Sequence, residues 1–110
     1  MLNSNLPEPE LLKALLQPLL EDFQYWFERE AKLLETEEIS FLSTRQQSDL
    51  LDLVKQAQQE VGAAQALFQA TGGQVGVETA MLMSWHILLS ECWQVAVRFR
   101  KEQSADSGKK

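Results

Sequence analysis

The chain has 110 residues and a mass of 12.5 kDa, with 45% apolar and 24% charged residues, 5 Gly and 3 Pro. That is the balance of one compact domain, and it excludes a collagenous or wholly disordered chain. A folded monomer of this mass exposes roughly 6,200 Å² against roughly 18,000 Å² unfolded, so a core can form without metal or disulfide support. A single Cys excludes an internal disulfide framework and a cysteine-built zinc site, and a net charge of −6 repels nucleic acid and anionic lipid over the body of the molecule.

Residues 1–7 read as an N-terminal arm. Pro7, Glu8, Pro9 and Glu10 interrupt any apolar run, so no secretory signal is expected and the protein is placed in the cytoplasm. The first helical segment covers residues 8–35, with Leu12, Leu16, Leu19, Phe23, Trp26 and Leu33 at three- and four-residue steps and Leu15, Leu20, Phe27 and Leu34 widening the stripe. Pro18 removes an amide and meets the carbonyl of Ala14, which predicts a kink or short break between Leu16 and Pro18.

The second segment opens at a capping box. Ser43 and Gln46 stand three apart, and Thr44 with Gln47 fits equally well. Leu50, Val54, Ala57, Val61, Ala64 and Phe68 follow as a heptad seam, and Gly72-Gly73 after Thr71 suits a helix stop near Ala70.

The third segment, residues 75–102, is apolar around most of its circumference. Met81, Trp85, Leu88, Cys92, Val95 and Phe99 form one seam, Leu82, Leu89, Trp93 and Ala96 lie alongside, and Met83, Ile87 and Val97 lie beyond. Such a helix is either surrounded or waiting for a partner, so it is expected at the centre of the bundle with one side left over. Residues 103–110 read as a disordered polar tail. The fold expected is all-α: residues 8–102 form a single helical domain, an antiparallel bundle of three long helices with the first kinked near Pro18.

Chemistry is thinly represented. His86 with Ser90 could be drawn as base and nucleophile, but no carboxylate follows at the next helical position, and a serine inside a helix has no free amides for an oxyanion hole. The sixteen acidic residues include no Glu-x-x-His pair, and one histidine cannot build a ferritin-like metal site. Gly72-Gly73-Gln74-Val75-Gly76 lacks the Lys-Ser/Thr of a phosphate loop and reads as a helix stop and start. Residues 75–97 are long enough to span a bilayer, yet Glu78 and Glu91 fall inside them. No catalytic residue, metal, cofactor, nucleic acid, membrane span or peripheral membrane attachment is therefore expected.

The strings Leu11-Leu12-Lys13, Glu21-Asp22-Phe23-Gln24-Tyr25-Trp26-Phe27, Ile39-Ser40-Phe41-Leu42-Ser43, Thr71-Gly72-Gly73-Gln74-Val75-Gly76-Val77-Glu78, Trp85-His86 and Glu91-Cys92-Trp93 are similar to an uncharacterised cyanobacterial family of small proteins, domain-of-unknown-function family 2605. The resemblance covers about residues 6–101. It implies a cyanobacterial cytoplasm, in the surroundings of thylakoids, and brings no activity, ligand or functional residue with it.

The function expected is a non-enzymatic helical interaction module or small adaptor, self-associating or docking on another protein through the third helix. Trp26, Trp85, Trp93, Leu89 and Phe99 are the candidate anchors. The alternative is a tetrapyrrole or lipid carrier with a pocket near His86 lined by Met81, Met83, Trp85, His86 and Phe27.

Overall fold

The computed structural model describes residues 8–73 and 77–108, which form three helices and no strand. Helix α1 spans Glu8–Thr36, α2 Thr44–Ala70 and α3 Thr79–Gly108. Cross-contacts fix an up-down-up bundle. Gln24 and Lys55 tie α1 and α2 antiparallel, through Gln24 Nε2 to Gln58 O at 3.2 Å and Lys55 Nζ to Glu35 at 3.0 Å. Phe23 on Trp85 and Trp26 on Trp93 then set α3 parallel to α1.

Helical backbone continues across Pro18, so the chain passes it without a break. The ring still removes one amide bond, and the buried Leu16 and Leu20 on either side hold that turn against the core. Burial on α1 centres on Leu16, Leu20, Phe23, Phe27, Ala31 and Leu34. The stripe is thus rotated from the expected one, leaving Leu19 exposed and Trp26 and Leu33 half-buried, while the Leu12 side chain lies outside the described residues.

Ser43 is the residue that caps α2. Its hydroxyl accepts from Gln46 N at 3.0 Å and its own amide donates to Gln46 Oε1 at 2.8 Å. Gln47 reaches the other way, toward the preceding helix. Its Nε2 donates to Leu34 O (2.8 Å) and Glu37 O (2.7 Å), and its Oε1 accepts from Ile39 N (3.0 Å). One side chain thereby satisfies the end of α1 and the loop, and it seats Ile39 in the core.

At the other end of α2, Gly73 N donates to Phe68 O at 2.8 Å and Gly72 N to Gln69 O at 3.1 Å, with both glycines at positive φ. This is the Schellman arrangement, and it places the stop at Ala70 as the Gly-Gly pair predicts.

Helix α3 starts later and ends later than its sequence suggests. Val77 and Glu78 precede it without helical backbone, the carbonyl of Glu78 accepts from Met81 N and Leu82 N, and Gln74, Val75 and Gly76 lie outside the described residues. The helix then continues to Gly108, through residues read as tail, because no Gly or Pro stands between Lys101 and Ser107 to end it. The arm, residues 1–7, and residues 109–110 lie outside the described residues.

The expectation of a central third helix is also corrected. Among the described residues, α1 supplies six of the buried apolar side chains; α2 supplies Val54, Ala57, Val61 and Phe68, and α3 only Trp85, Cys92 and Ala96. The middle helix of the packing is α1, because its apolar arc is wide enough to meet both neighbours.

Candidate functional site

Helix α3 is fastened by one face. Trp85, 1% exposed, packs edge-to-face with Phe23, the ring centres 5.5 Å apart, and donates its indole N–H to Glu60 Oε1 at 3.0 Å. Cys92 and Ala96 follow about two and three turns further along the same side, with Leu82, Leu88, Leu89, Val95 and Phe99 half-buried around them.

Among the described residues, nothing covers the opposite face. Met83, Ile87, Ser90, Gln94, Val97 and Lys101 recur at steps of four and three, all exposed, with Met83 at 54% and Ile87 at 55%. Those steps align them in one row. Trp93 stands at the edge of the row toward α1 and is half exposed, its ring packed edge-on against Trp26 at 5.4 Å. A shallow groove of about 500 Å³ runs along this face, lined by Ser90, Trp93, Gln94, Val97, Arg98 and Lys101.

Two arginines border the surface. The Arg29 guanidinium lies 5.6 Å from the centre of the Tyr25 ring and 5.7 Å from that of Trp26, and it donates to Tyr25 Oη at 3.2 Å. Arg98 lies over the Phe41 ring at 4.1 Å and pairs with Glu102 at 3.1 Å. Tyr25, Trp26, Arg29, Trp93 and Met83 are residue types enriched at the centres of protein interfaces.

Of the candidate anchors, Trp93 stays available and Trp26 is half-buried beneath it. Trp85 is corrected: it is a core residue, since its ring fills the space between α1 and α2. Leu89 and Phe99 also pack against the core. Ile87 and Val97 are surface residues that the choice of anchors missed; the four-three spacing from Met83 to Lys101 is the signal that finds them.

The pocket residues for a carrier face different ways. Phe27 and Trp85 are enclosed in the core, while Met81, Met83 and His86 are exposed. His86 and Ser90 both sit on the open side of the helix. Burial, followed by the charges of Glu30 and Glu91, pushes the Cys92 thiol from 9.0 up to about 12, so it is a poor nucleophile and a poor metal ligand at neutral pH. Burial also raises the Glu30 carboxyl, with Arg100 and then Arg29 pulling it back. Among the described residues no three His, Cys, Asp or Glu side chains converge on a point that could hold a metal, and no helix is long and apolar enough to cross a membrane.

The family model described as a protein of unknown function (DUF2605) matches residues 6–101. Neither the curated proteins nor the solved structures contain a match to this chain.

Proposed function

We propose that this chain, which belongs to the DUF2605 family, is a non-enzymatic helical interaction module that docks on protein through the outer face of α3. One observation carries the reading: Met83, Ile87 and Val97, with Trp93 beside them and only the uncharged Ser90 and Gln94 between, stand open along about four turns of a helix held by its other side. Water against such a row is unfavourable by about 25 cal/mol for each Å² of apolar surface, which a protein partner recovers. A net charge of −6 favours protein over nucleic acid or anionic membrane as that partner. We place the protein in the cytoplasm of a cyanobacterium, where a lone buried thiol stays reduced.

Photo-crosslinking tests the surface. A benzophenone side chain at Gln94, within the groove, should give a discrete adduct in cell extract, whereas the same group at Gln59 on the outer side of α2 should give none. Absence of an adduct from Gln94, or equal adducts from both positions, would refute the reading.

A further inference from the structure

We infer that the groove between α2 and α3 seats a basic amphipathic helix of another protein. This surface is distinct from the outer row of α3 and turned toward α2; only Ile87 borders both. Its origin is the way the bundle packs. Among the described residues α2 and α3 each lie on α1 and meet one another only lightly. Two helices side by side on a third leave a trough above their seam, and a fourth helix laid there completes a four-helix bundle. The trough opens between Leu53, Ala57 and Glu60 of α2 and Ser84, Leu88 and Glu91 of α3, around a cavity of about 330 Å³. Leu53, Glu60 and Leu67 stand seven apart and so nearly in line along α2, with both leucines exposed. On α3, Met81, Ser84, Leu88 and Glu91 recur at steps of three and four, and none is buried. Such lines receive a helix that offers apolar anchors at the same steps. From Leu53 to Leu67 they run for about 21 Å, or four turns.

Charge names the partner. Glu60 Oε1 accepts from the Trp85 indole at 3.0 Å and Oε2 from Gln56 Nε2 at 3.2 Å, both neutral donors. Among the described residues no cation pairs with Glu60 or with Glu91. No basic side chain of the groove's own walls competes for them. Helix α3 has no Lys or Arg from Thr79 to Val97, and α2 beyond Arg45 has only Lys55, which pairs with Glu35 of α1. A helix with leucine-like residues at heptad steps and Lys or Arg beside them covers Leu53 and Ile87 and brings its cations to Glu60 and Glu91. The net charge of −6 draws such a partner in, whereas it sets two copies of this chain against each other.

The test titrates two synthetic peptides of about three heptads into the full chain, followed by fluorescence anisotropy. One carries Leu at the a and d positions and Lys elsewhere; the other has Glu in place of Lys. The Leu–Lys peptide should bind more than about tenfold more tightly than its twin. Glu91→Lys alters an exposed side chain and should weaken the Leu–Lys peptide by more than about tenfold, while Glu21→Lys, the same charge change at an exposed position of α1, should stay within about threefold. Leu53→Ser should keep the helical circular dichroism and also weaken binding, whereas Val97→Ser on the outer row should not. No binding by the wild-type chain, or equal binding of the two peptides, overturns the inference. Equal losses from Glu91→Lys and Glu21→Lys would do the same, by assigning the attraction to overall charge. Loss with Val97→Ser but not with Leu53→Ser would move the helix to the outer face of α3; the docking reading would then stand and the groove would not.

Discussion

The indole N–H of Trp85 donates to Glu60 Oε1 at 3.0 Å, and this bond ties α3 to α2 beneath a ring that also packs on Phe23 of α1. Bulk and hydrogen bond are separable there. Trp85→Ala should cost about 3–5 kcal/mol through the cavity it leaves between three helices. Glu60→Leu keeps the ring but strands its donor, and should cost about 1–3 kcal/mol. Urea denaturation of both variants measures the difference; equal losses would mean that the bond, not the ring's volume, holds α3.

Gln47 should matter more than the residue that caps the helix. Ser43→Ala removes one cap interaction and should cost about 1 kcal/mol. Gln47→Ala releases Ile39 N, Leu34 O and Glu37 O together; the first two bonds are part-buried and the third exposed, and stranding the two part-buried groups should cost about 1–3 kcal/mol. Thermal denaturation should therefore rank Gln47→Ala below Ser43→Ala. The reverse order would show that water replaces the Gln47 bonds freely.

Both residues show how far the primary structure reaches. Ser43 and Gln46 are legible because a cap is local: three residues apart is the whole geometry. Gln47 is chemically the twin of Gln46, and its bonds depend on where the end of α1 lies, which no local pattern contains. The same limit explains the tryptophans. Trp85 and Trp93 are eight positions apart on one helix, which turns them by about 80° relative to each other. An apolar circumference shows that some of it must stay uncovered, and only the position of α1 decides that Trp85 goes inside and Trp93 to the rim. The end of α3 escapes a sequence reading for a simpler reason, since polar residues without Gly or Pro permit a helix as readily as a tail.

The two glycines closing α2 should not respond alike. Gly72 at φ 64° has open space where a Cβ would stand, so Gly72→Ala bears only the left-handed penalty of about 1–2 kcal/mol. Gly73 at φ 85° would also bring its Cβ to 2.9 Å from Lys13 Cδ. Gly73→Ala should thus be the more destabilising in chemical denaturation, and shortening the obstacle with Lys13→Ala should narrow the gap between them. A gap unchanged by Lys13→Ala would place the cost elsewhere.

Glu30 gives the fold a pH dependence of known sign. Burial raises its carboxyl above the ordinary 4.5 in the folded chain, so the folded state holds the proton more tightly than the unfolded one. Stability from this group is therefore greatest below the unfolded value and falls as pH rises through the folded one. Glu30→Gln should stabilise the chain at neutral pH and lose that advantage as pH drops below about 4.5. A variant less stable than wild type at neutral pH would mean that Arg100 and Arg29 outweigh the burial.

Cys92 reports on the opening of α3. Its thiol, raised to about 12 and 1% exposed, offers almost no thiolate at pH 8. Alkylation of the native chain should therefore proceed only through openings that expose it, at a rate that grows with denaturant. Trp85→Phe loosens the same face of α3 without emptying it, and should speed labelling before it changes the overall helical content. Rapid alkylation of the wild-type chain in the absence of denaturant would show that α3 leaves the α1–α2 pair far more often than its packing on Phe23 and Trp26 allows.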